Sequence, residues 1–563
     1  MHDHILGICC YGTNDTGVAL LDPEGKLLYM SEEERFSRIK KDTSFPAAAI
    51  DDALRHTGIS IDAVSDVGFY SDLSGVRLSA ALHTLRNLPL SLLFLGGGVD
   101  SYRRHQGFAR VLRELTGFSG KVHHFPHHLC HAASAYYLSP FDSAAVLTLD
   151  GTGEFTTGTT WLGEGIELHP FGRGQFPHSI GRVYEAFTQY LGFKPNRDEG
   201  KVMGLAGHGD PARFRSALAD LIHLEPGGRY RVNLRYFLYH LGSDTLFSRR
   251  LVERFGPPRV PESSLDEHYR DIAAAVQERL EDVGLHLSRA LAAKTPTRDI
   301  CLAGGVTLNT QMNARIESDG IFDRVFVPPP AGDPGTALGA AKLVYHRAHR
   351  GRSRETMTHA YWGPCYDDQE CERAAKEAGT SWRRVDDPGD AAAEAIARGE
   401  IVSWFQGRME IGPRALGNRS ILGDARRSEM ADVMNRRVKK RESFRPFAPA
   451  VLAERCGDYF DRPGPQPFML SVFGVREERR SEVPSITHVD GSARVQTVHR
   501  ESNPAFYNLI KCFDRRTGVP VVLNTSFNVR GEPIVCTPAD AAACFQSTDI
   551  DRLYMGHIEV IAR

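Results

Sequence analysis

The sequence lacks the features that mark nucleic-acid binders, secreted proteins and membrane proteins. There is no basic surplus: 68 Lys and Arg stand against 70 Asp and Glu in 563 residues, a formal net charge of −2. Proteins that grip nucleic acid usually carry excess positive charge or a basic tail, so a small-molecule partner is expected and a stable nucleic-acid partner is not. None of the ten cysteines has CxxC spacing, which predicts reduced thiols in a cytoplasmic protein. The first residues, Met1-His2-Asp3-His4, bring neither a basic segment nor a long apolar run after it, so no secretory signal is read. The greasiest stretch, Leu88 to Leu95, is under half of the roughly 20 residues that span a bilayer. No membrane partner is expected. What remains is an ordinary globular composition, 41% hydrophobic and 25% charged. At roughly 100–200 residues per domain, the length predicts at least two domains.

Two segments share one pattern. Ile5 to Cys10, the turn Asn14 to Gly17 and Val18 to Leu21 read as strand, turn, strand. Ala144 to Leu149, Asp150-Gly151-Thr152-Gly153 and Phe155 to Leu162 repeat it. Such repetition suggests internal duplication, as in the actin-like ATPase folds, although many hairpins carry a DG turn. A helix is predicted from about Asp271 to Ala293, with Ile272, Val276, Leu280, Val283, Leu287 and Leu291 on one face. Strands and helices alternate thereafter, which favours a mixed α/β fold. The polar stretch 348–360 reads as a linker. The expected domains are 1–350 and 361–563, joined by 351–360.

Three constellations carry chemistry. In His127-His128-Leu129-Cys130-His131, after Pro126, His127 and His131 fall at i and i+4 on one helical face, with His128 pointing away. With Asp150 and Asp333 they make a candidate site for a divalent metal, with Fe(II), Mn(II) and Zn(II) all admissible. The plainer readings are a turn residue for Asp150 and a helix N-cap for Asp333. The second constellation is Gly304-Gly305 with Asn309, either a tight turn or a loop approaching a nucleotide. Lys201 is either a phosphate contact or a surface lysine. The third holds Arg414 and Arg419, then Arg436, Arg437, Lys439, Lys440, Arg441 and Arg445, then Asn524-Thr525-Ser526. Guanidinium forks, ammonium charge and hydroxyls suit phosphate. Much of the 436–441 run also reads as a solvated helix face. Arg445, between Phe444 and Phe447, is expected to be partly buried and to want an anion.

Together these stretches resemble one family, the O-carbamoyltransferases of antibiotic and nodulation-factor biosynthesis, of the NodU and nebramycin (tobramycin) carbamoyltransferase type. The matches include 32–38, 127–135, 149–154, 304–313, 412–422, 439–449, 488–497 and 523–533. The resemblance implies a duplicated actin-like (ASKHA) first domain similar to threonylcarbamoyl-transfer enzymes, and a YrdC-like second domain. It implies that carbamoyl phosphate and ATP, the latter with Mg, give carbamoyl-adenylate, and that the carbamoyl group passes to a hydroxyl, or an amine, of a small acceptor. By matched position, Lys439, Arg445, Arg414, Arg494, Asn524 and Ser526 hold carbamoyl phosphate or ATP. Lys201, Gly304, Gly305 and Asn309 meet the adenylate. His127, His131, Asp150 and Asp333 bind a metal that in relatives looks like iron. The chain departs from the family at Asn14, where relatives carry a histidine suited to act as general base. Asparagine takes no proton at neutral pH, which leaves Asp15 as the candidate base, or as a turn-capping carboxylate. A homodimer is compatible with all of this. The competing readings are a tRNA threonylcarbamoyl-type transferase and an actin-fold kinase.

Overall fold

In this computed structural model the described residues are all but 1–3, 13, 14, 75, 89, 90, 463 and 563, and the side chains of 77 and 92–101. Asn14 therefore lies outside the described residues. The chain divides into two units, residues 1–33 with 41–357 and residues 34–40 with 358–563.

The first unit is built on a repeated sheet. Strands β1 (His4–Cys9), β2 (Gly17–Leu21) and β3 (Leu27–Glu32) form an antiparallel meander. Strands β4 (Val64–Phe69) and β5 (Lys121–His124) continue from β1 in parallel, in the order β3-β2-β1-β4-β5. The second sheet repeats the plan. Its meander is β6 (Ser143–Gly153), β7 (Thr156–Glu164) and β8 (Glu167–Gln175). The parallel strands β9 (Asp299–Ala303) and β10 (Arg324–Phe326) give the order β10-β9-β6-β7-β8. This is the duplicated, actin-like arrangement that the two hairpins suggested.

Six helices matter for the sites: α1 (His127–Tyr136), α2 (Ile180–Tyr190), α3 (Glu199–Ala206), α4 (Glu267–Ala292), α5 (Thr310–Ser318) and α6 (Pro334–Leu343). The apolar stripe of α4 is buried along its whole length. The helix starts four residues before the predicted position because Asp266 caps it, accepting from the Tyr269 amide. Helix α6 packs closely on α1 and β1. A Cβ at Gly339 would overlap the Cys130 carbonyl, so a small residue is required there.

Two expectations need correction. Asp150 to Gly153 is not the hairpin turn. It is the irregular end of β6, and the turn itself is Glu154-Phe155, both at positive φ (54° and 68°). A Cβ at Gly153 would overlap the His127 ring, so this glycine serves close packing rather than turning. The 351–360 stretch is not a free linker either. Arg354 stacks over Tyr136 and donates to the carbonyls of Phe141 and Tyr136, Glu355 accepts from the Leu27 amide, and Met357 is buried. The guanidinium satisfies carbonyls at the end of α1, which holds the segment down despite its polar sequence.

The second unit centres on an eight-stranded mixed sheet. Its strands are β11 (Ser381–Arg384), β12 (Val402–Phe405), β13 (Arg419–Asp424), β14 (Ala448–Leu452), β15 (Gln496–Val498), β16 (Val521–Ser526), β17 (Arg552–Met555) and β18 (Ile558–Ile561). They run in the order β11-β18-β17-β12-β13-β16-β14-β15. Helices α7 (Pro388–Ala397) and α8 (Pro504–Thr517) cover one face through Ile396, Phe506, Ile510 and Phe513, in one apolar cluster with Trp404 of β12. A second apolar cluster, including Phe405, Ile421, Val438 and Leu523, lies on the other face.

Candidate functional site

The first unit gathers His127, His131, Asp150 and Asp333. Pro126 precedes the first turn of α1 and the histidines sit one turn apart. Asp150 comes from β6, and Asp333 stands at the N-cap of α6 without using its side chain as a cap. Their ligand atoms all lie within 4.8 Å of one another and all four residues are buried. The two Nε2 atoms are 3.0 Å apart; Asp150 Oδ2 lies 3.4 and 3.0 Å from them, and Asp333 Oδ1 3.7 and 3.6 Å. Two metal–ligand bonds of about 2.1 Å at tetrahedral or octahedral angles separate ligand atoms by about 3.0–3.4 Å. The set therefore fits a metal ion. Asp333 Oδ1 is buried without a hydrogen-bond partner, which a cation would supply. His128 turns away, to the Thr148 hydroxyl at 2.8 Å and the Thr156 carbonyl at 3.0 Å.

Charge follows this geometry. Burial alone would lower the His131 pKa, but Asp150 and Asp333 outweigh it and push it up to about 9. Burial opposes ionisation of Asp150 as well, yet His127 and His131 hold its carboxyl well below the usual range. Glu154, at the hairpin tip, accepts from the amides of Asp72 at 2.5 Å and His127 at 3.3 Å. Burial pushes its pKa up to about 7. It also lines an open cavity of about 430 Å³ with Trp161, Phe171 and Arg173. Asp15 lies just before β2, half-buried, and is not one of the four clustered groups. Its loop borders them, since a Cβ at Gly12 would come 3.7 Å from Asp333 Oδ2.

The candidate adenylate residues are more structural than expected. Gly304, at φ 96°, has no room for a Cβ against the Leu149 backbone, and a Cβ at Gly305 would sit 3.2 Å from Asp150 Oδ1. The glycine loop is thus packed on the strand end that carries the metal ligand. Asn309 caps α5 and exchanges two hydrogen bonds with Gln277, at 2.9 and 2.8 Å. Lys201 is buried and pairs with Asp198 at 3.2 Å, so it is not a surface lysine.

The second unit gathers cations instead. Arg494 is set against the charges of Arg414, Arg441 and Arg445, and burial together with these neighbours drives its pKa well down. Burial and Arg445 likewise lower Arg414 to about 10 and Arg441 to about 9. Half-buried guanidinium groups that repel one another favour an anion between them. Arg441 was named in the basic run but not among the residues expected to hold carbamoyl phosphate or ATP. It is oriented by a hydrogen bond to Asn435 at 2.7 Å and by the Phe447 ring at 4.6 Å. The ring expected to shelter Arg445 thus lies against Arg441. The 436–441 run is divided by a π-helical turn, Asn435–Lys439, which buries Lys439 and leaves Arg436, Arg437 and Lys440 exposed.

Lys439 is held by the Ser526 carbonyl and hydroxyl and by the Asn528 carbonyl and side chain. It organises the loop after β16 while adding charge to the cluster. Arg419, fully buried, donates to the Gln406, Gly407 and Asn418 carbonyls and stacks on Phe405 at 3.6 Å. It is a structural residue. The loop bearing Arg414 is fixed by buried Glu410, whose Oε1 accepts from the amides of Leu416, Asn418 and Arg419.

Residues 93–342 match the family model Carbamoyltransferase N-terminus, and residues 393–562 match Carbamoyltransferase C-terminus. The chain is 37% identical over 549 residues to nodulation protein NolNO of Sinorhizobium fredii, covering 96% of this chain and 78% of that one. The chain belongs to the carbamoyltransferase family. Within it the NodU-type O-carbamoyltransferases are also similar. Nodulation protein U of Rhizobium tropici is 31% identical, over 94% of this chain and 92% of its own. The 3'-hydroxymethylcephem-O-carbamoyltransferase of Streptomyces clavuligerus is 30% identical over 96% of each chain. Both constellations fall inside the matched segments, so this carbamoyltransferase carries its metal-type cluster in the N-terminal family region and its cation cluster in the C-terminal one. Among the described residues no helix is long and apolar enough to cross a membrane.

Proposed function

We propose that this carbamoyltransferase activates carbamoyl phosphate with ATP and transfers the carbamoyl group to a hydroxyl of a small molecule, of the kind found in natural-product pathways. The observation that carries the proposal is the cluster of half-buried Arg414, Arg441, Arg445 and Arg494 with buried Lys439 inside the carbamoyltransferase C-terminal segment. Both substrates are polyanions, and bringing them together needs fixed cations. In the second unit, read as YrdC-like, carbamoyl phosphate, Mg-bound ATP and one water become carbamoyl-adenylate, phosphate and pyrophosphate. In the first unit the acceptor oxygen attacks the carbamoyl carbon, AMP leaves and the acceptor proton is lost.

A divalent ion, iron by analogy with the family or Mn or Zn, would be held by His127, His131, Asp150 and Asp333 and would supply Lewis-acid polarisation. Glu154 holds the His127 backbone in place, Gly304 and Gly305 keep the loop against Asp150, and Asp15 is the candidate for accepting the acceptor proton. The cavity at Trp161 and Phe171 offers room for a ring-bearing acceptor. The test is incubation of purified protein with both substrates and a panel of alcohols and amines. AMP, pyrophosphate and a product heavier by one carbamoyl group are expected. ADP in place of AMP would sink the proposal.

A further inference from the structure

One helix of the first unit is packed with polar residues inward and leucines outward. In the helix Val76–Arg86, His83 and Thr84 are buried. His83 Nε2 donates to the His240 carbonyl at 2.8 Å, and its ring lies against those of Phe176 and Phe155, at 5.2 and 6.0 Å between centres. These contacts fix the rotation of the helix. Its other face carries Leu78, Leu82 and Leu85, spaced i, i+4 and i+7, and Leu88 follows just beyond. The four leucines are 66%, 44%, 66% and 51% exposed, and Ala81 between them is exposed too. A helix on a soluble protein normally turns its apolar stripe to the core. Four of the ten large apolar side chains exposed among the described residues fall between Leu78 and Leu88, which makes a patch and not scattered exposure.

Charge says what the patch faces. Arg86 follows Leu82 by one helical turn, so it extends the same face, and it is exposed. From Leu73 to Arg113 the sequence holds six arginines and one acidic residue, Asp100, in a chain whose formal net charge is −2. Four of these arginines, Arg103, Arg104, Arg110 and Arg113, are exposed on the helix Leu92–Thr116, which packs beside the leucine helix. A second copy of the chain suits this surface poorly, because a two-fold contact would bring the same arginines toward their own copies. An anionic lipid surface complements both features: leucines enter the headgroup boundary and arginines meet lipid phosphates.

We propose that the leucine face of the helix Val76–Arg86 docks this carbamoyltransferase on an anionic lipid surface. This departs from the sequence expectation of no membrane partner. That expectation rested on the lack of a spanning segment, and a helix of about 16 Å lying in the plane of the headgroups needs none. The helix begins four residues after Asp72, whose amide donates to Glu154 in the wall of the cavity at Trp161. The docked helix thus starts at most about 14 Å of chain from that wall.

The experiment floats the full-length protein with vesicles of phosphatidylcholine, with or without about one-third phosphatidylglycerol. At about 0.1 M salt the wild type should bind the mixed vesicles about tenfold more tightly than the neutral ones, and high salt should erase the difference. The double variant Leu78→Ser, Leu85→Ser should bind the mixed vesicles at least about tenfold less, with unchanged thermal stability because both positions face solvent. Arg86→Glu should weaken binding to the mixed vesicles alone. Leu78→Trp keeps the face apolar, so it should bind like the wild type and shift its added tryptophan emission to the blue on the vesicles. Wild-type protein that stays off both vesicles, or binds them equally, overturns the proposal. So does wild-type binding by the double serine variant, or bound Leu78→Trp with unshifted emission. A lipid-free dimer that the double serine variant dissolves assigns the face to a second copy and overturns it as well.

Discussion

Histidines in the two units are shifted in opposite directions, for different reasons. His131, between two carboxylates, is pushed up to about 9 despite its burial. His488, in the wall of the cation cluster, is pulled down to about 4 by burial and by Arg494. The first cluster gathers groups that could hold a cation, and the second gathers cations. At His131 the two carboxylates outweigh burial, whereas at His488 burial itself decides, with Arg494 adding to it and Asp490 opposing it. The proposed activation and transfer steps would thereby take place in different electrostatic surroundings.

The strongest way to break this comparison is to remove a ligand from the first cluster. His131→Ala is expected to abolish metal binding, seen as loss of stoichiometric metal by elemental analysis, and to lower product formation by at least about 10³. Pyrophosphate release should stay within twofold. Equal loss of both would mean that the chemistry is not divided as proposed. The converse variant, Arg494→Ala, should cut pyrophosphate release by about 10²–10³ while metal content is unchanged.

The pH dependence sharpens the same contrast. His131 has a raised folded pKa, so its contribution to metal-free stability is complete below about 6.5 and is lost as pH rises through about 9. His488 has a lowered one, so its contribution is complete above about 6.5 and is lost as pH falls through about 4. Each amounts to something on the order of 2–3 kcal/mol. Calorimetry of chelated protein should show the two slopes on opposite sides of neutrality, and added metal should remove only the alkaline one. The smallest effect is expected at the exposed part of the basic run: Arg436→Ala should leave pyrophosphate release within twofold.

Much of this was legible in the sequence, and the failures have physical causes. The stripe of α4 has a clear 3.6-residue period. His127 and His131 were readable because helical spacing puts them on one face, and Asp150 because it follows an apolar run, although it was read into the turn rather than the strand. Arg441 was named only as part of a run that also reads as a solvated helix face, because no simple period anticipates the π-helical turn at Asn435–Lys439. The DG sequence after β6 suggested a turn, but its second glycine is there to clear the His127 ring. Residues 351–357 looked solvated because their polar groups are satisfied by carbonyls of distant residues. The role of Asp15 depends on tertiary surroundings that local sequence does not encode.

The seven residues 34–40, made early in synthesis, belong to the unit completed last. Arg35 donates to the Gly412 carbonyl, and Arg38 donates to the Ile534 carbonyl across 496 positions of chain. The covalent path therefore passes between the units three times rather than once. A ribosome must release nearly the entire polypeptide before this short piece finds its partners, and the closure entropy of so long a loop opposes the pairing until then. A single protease cut near residue 357 would not free residues 358–563 as an intact body, because one of its own pieces would remain on the other fragment. Expressing the carboxyl-terminal portion alone would require that piece to be grafted back.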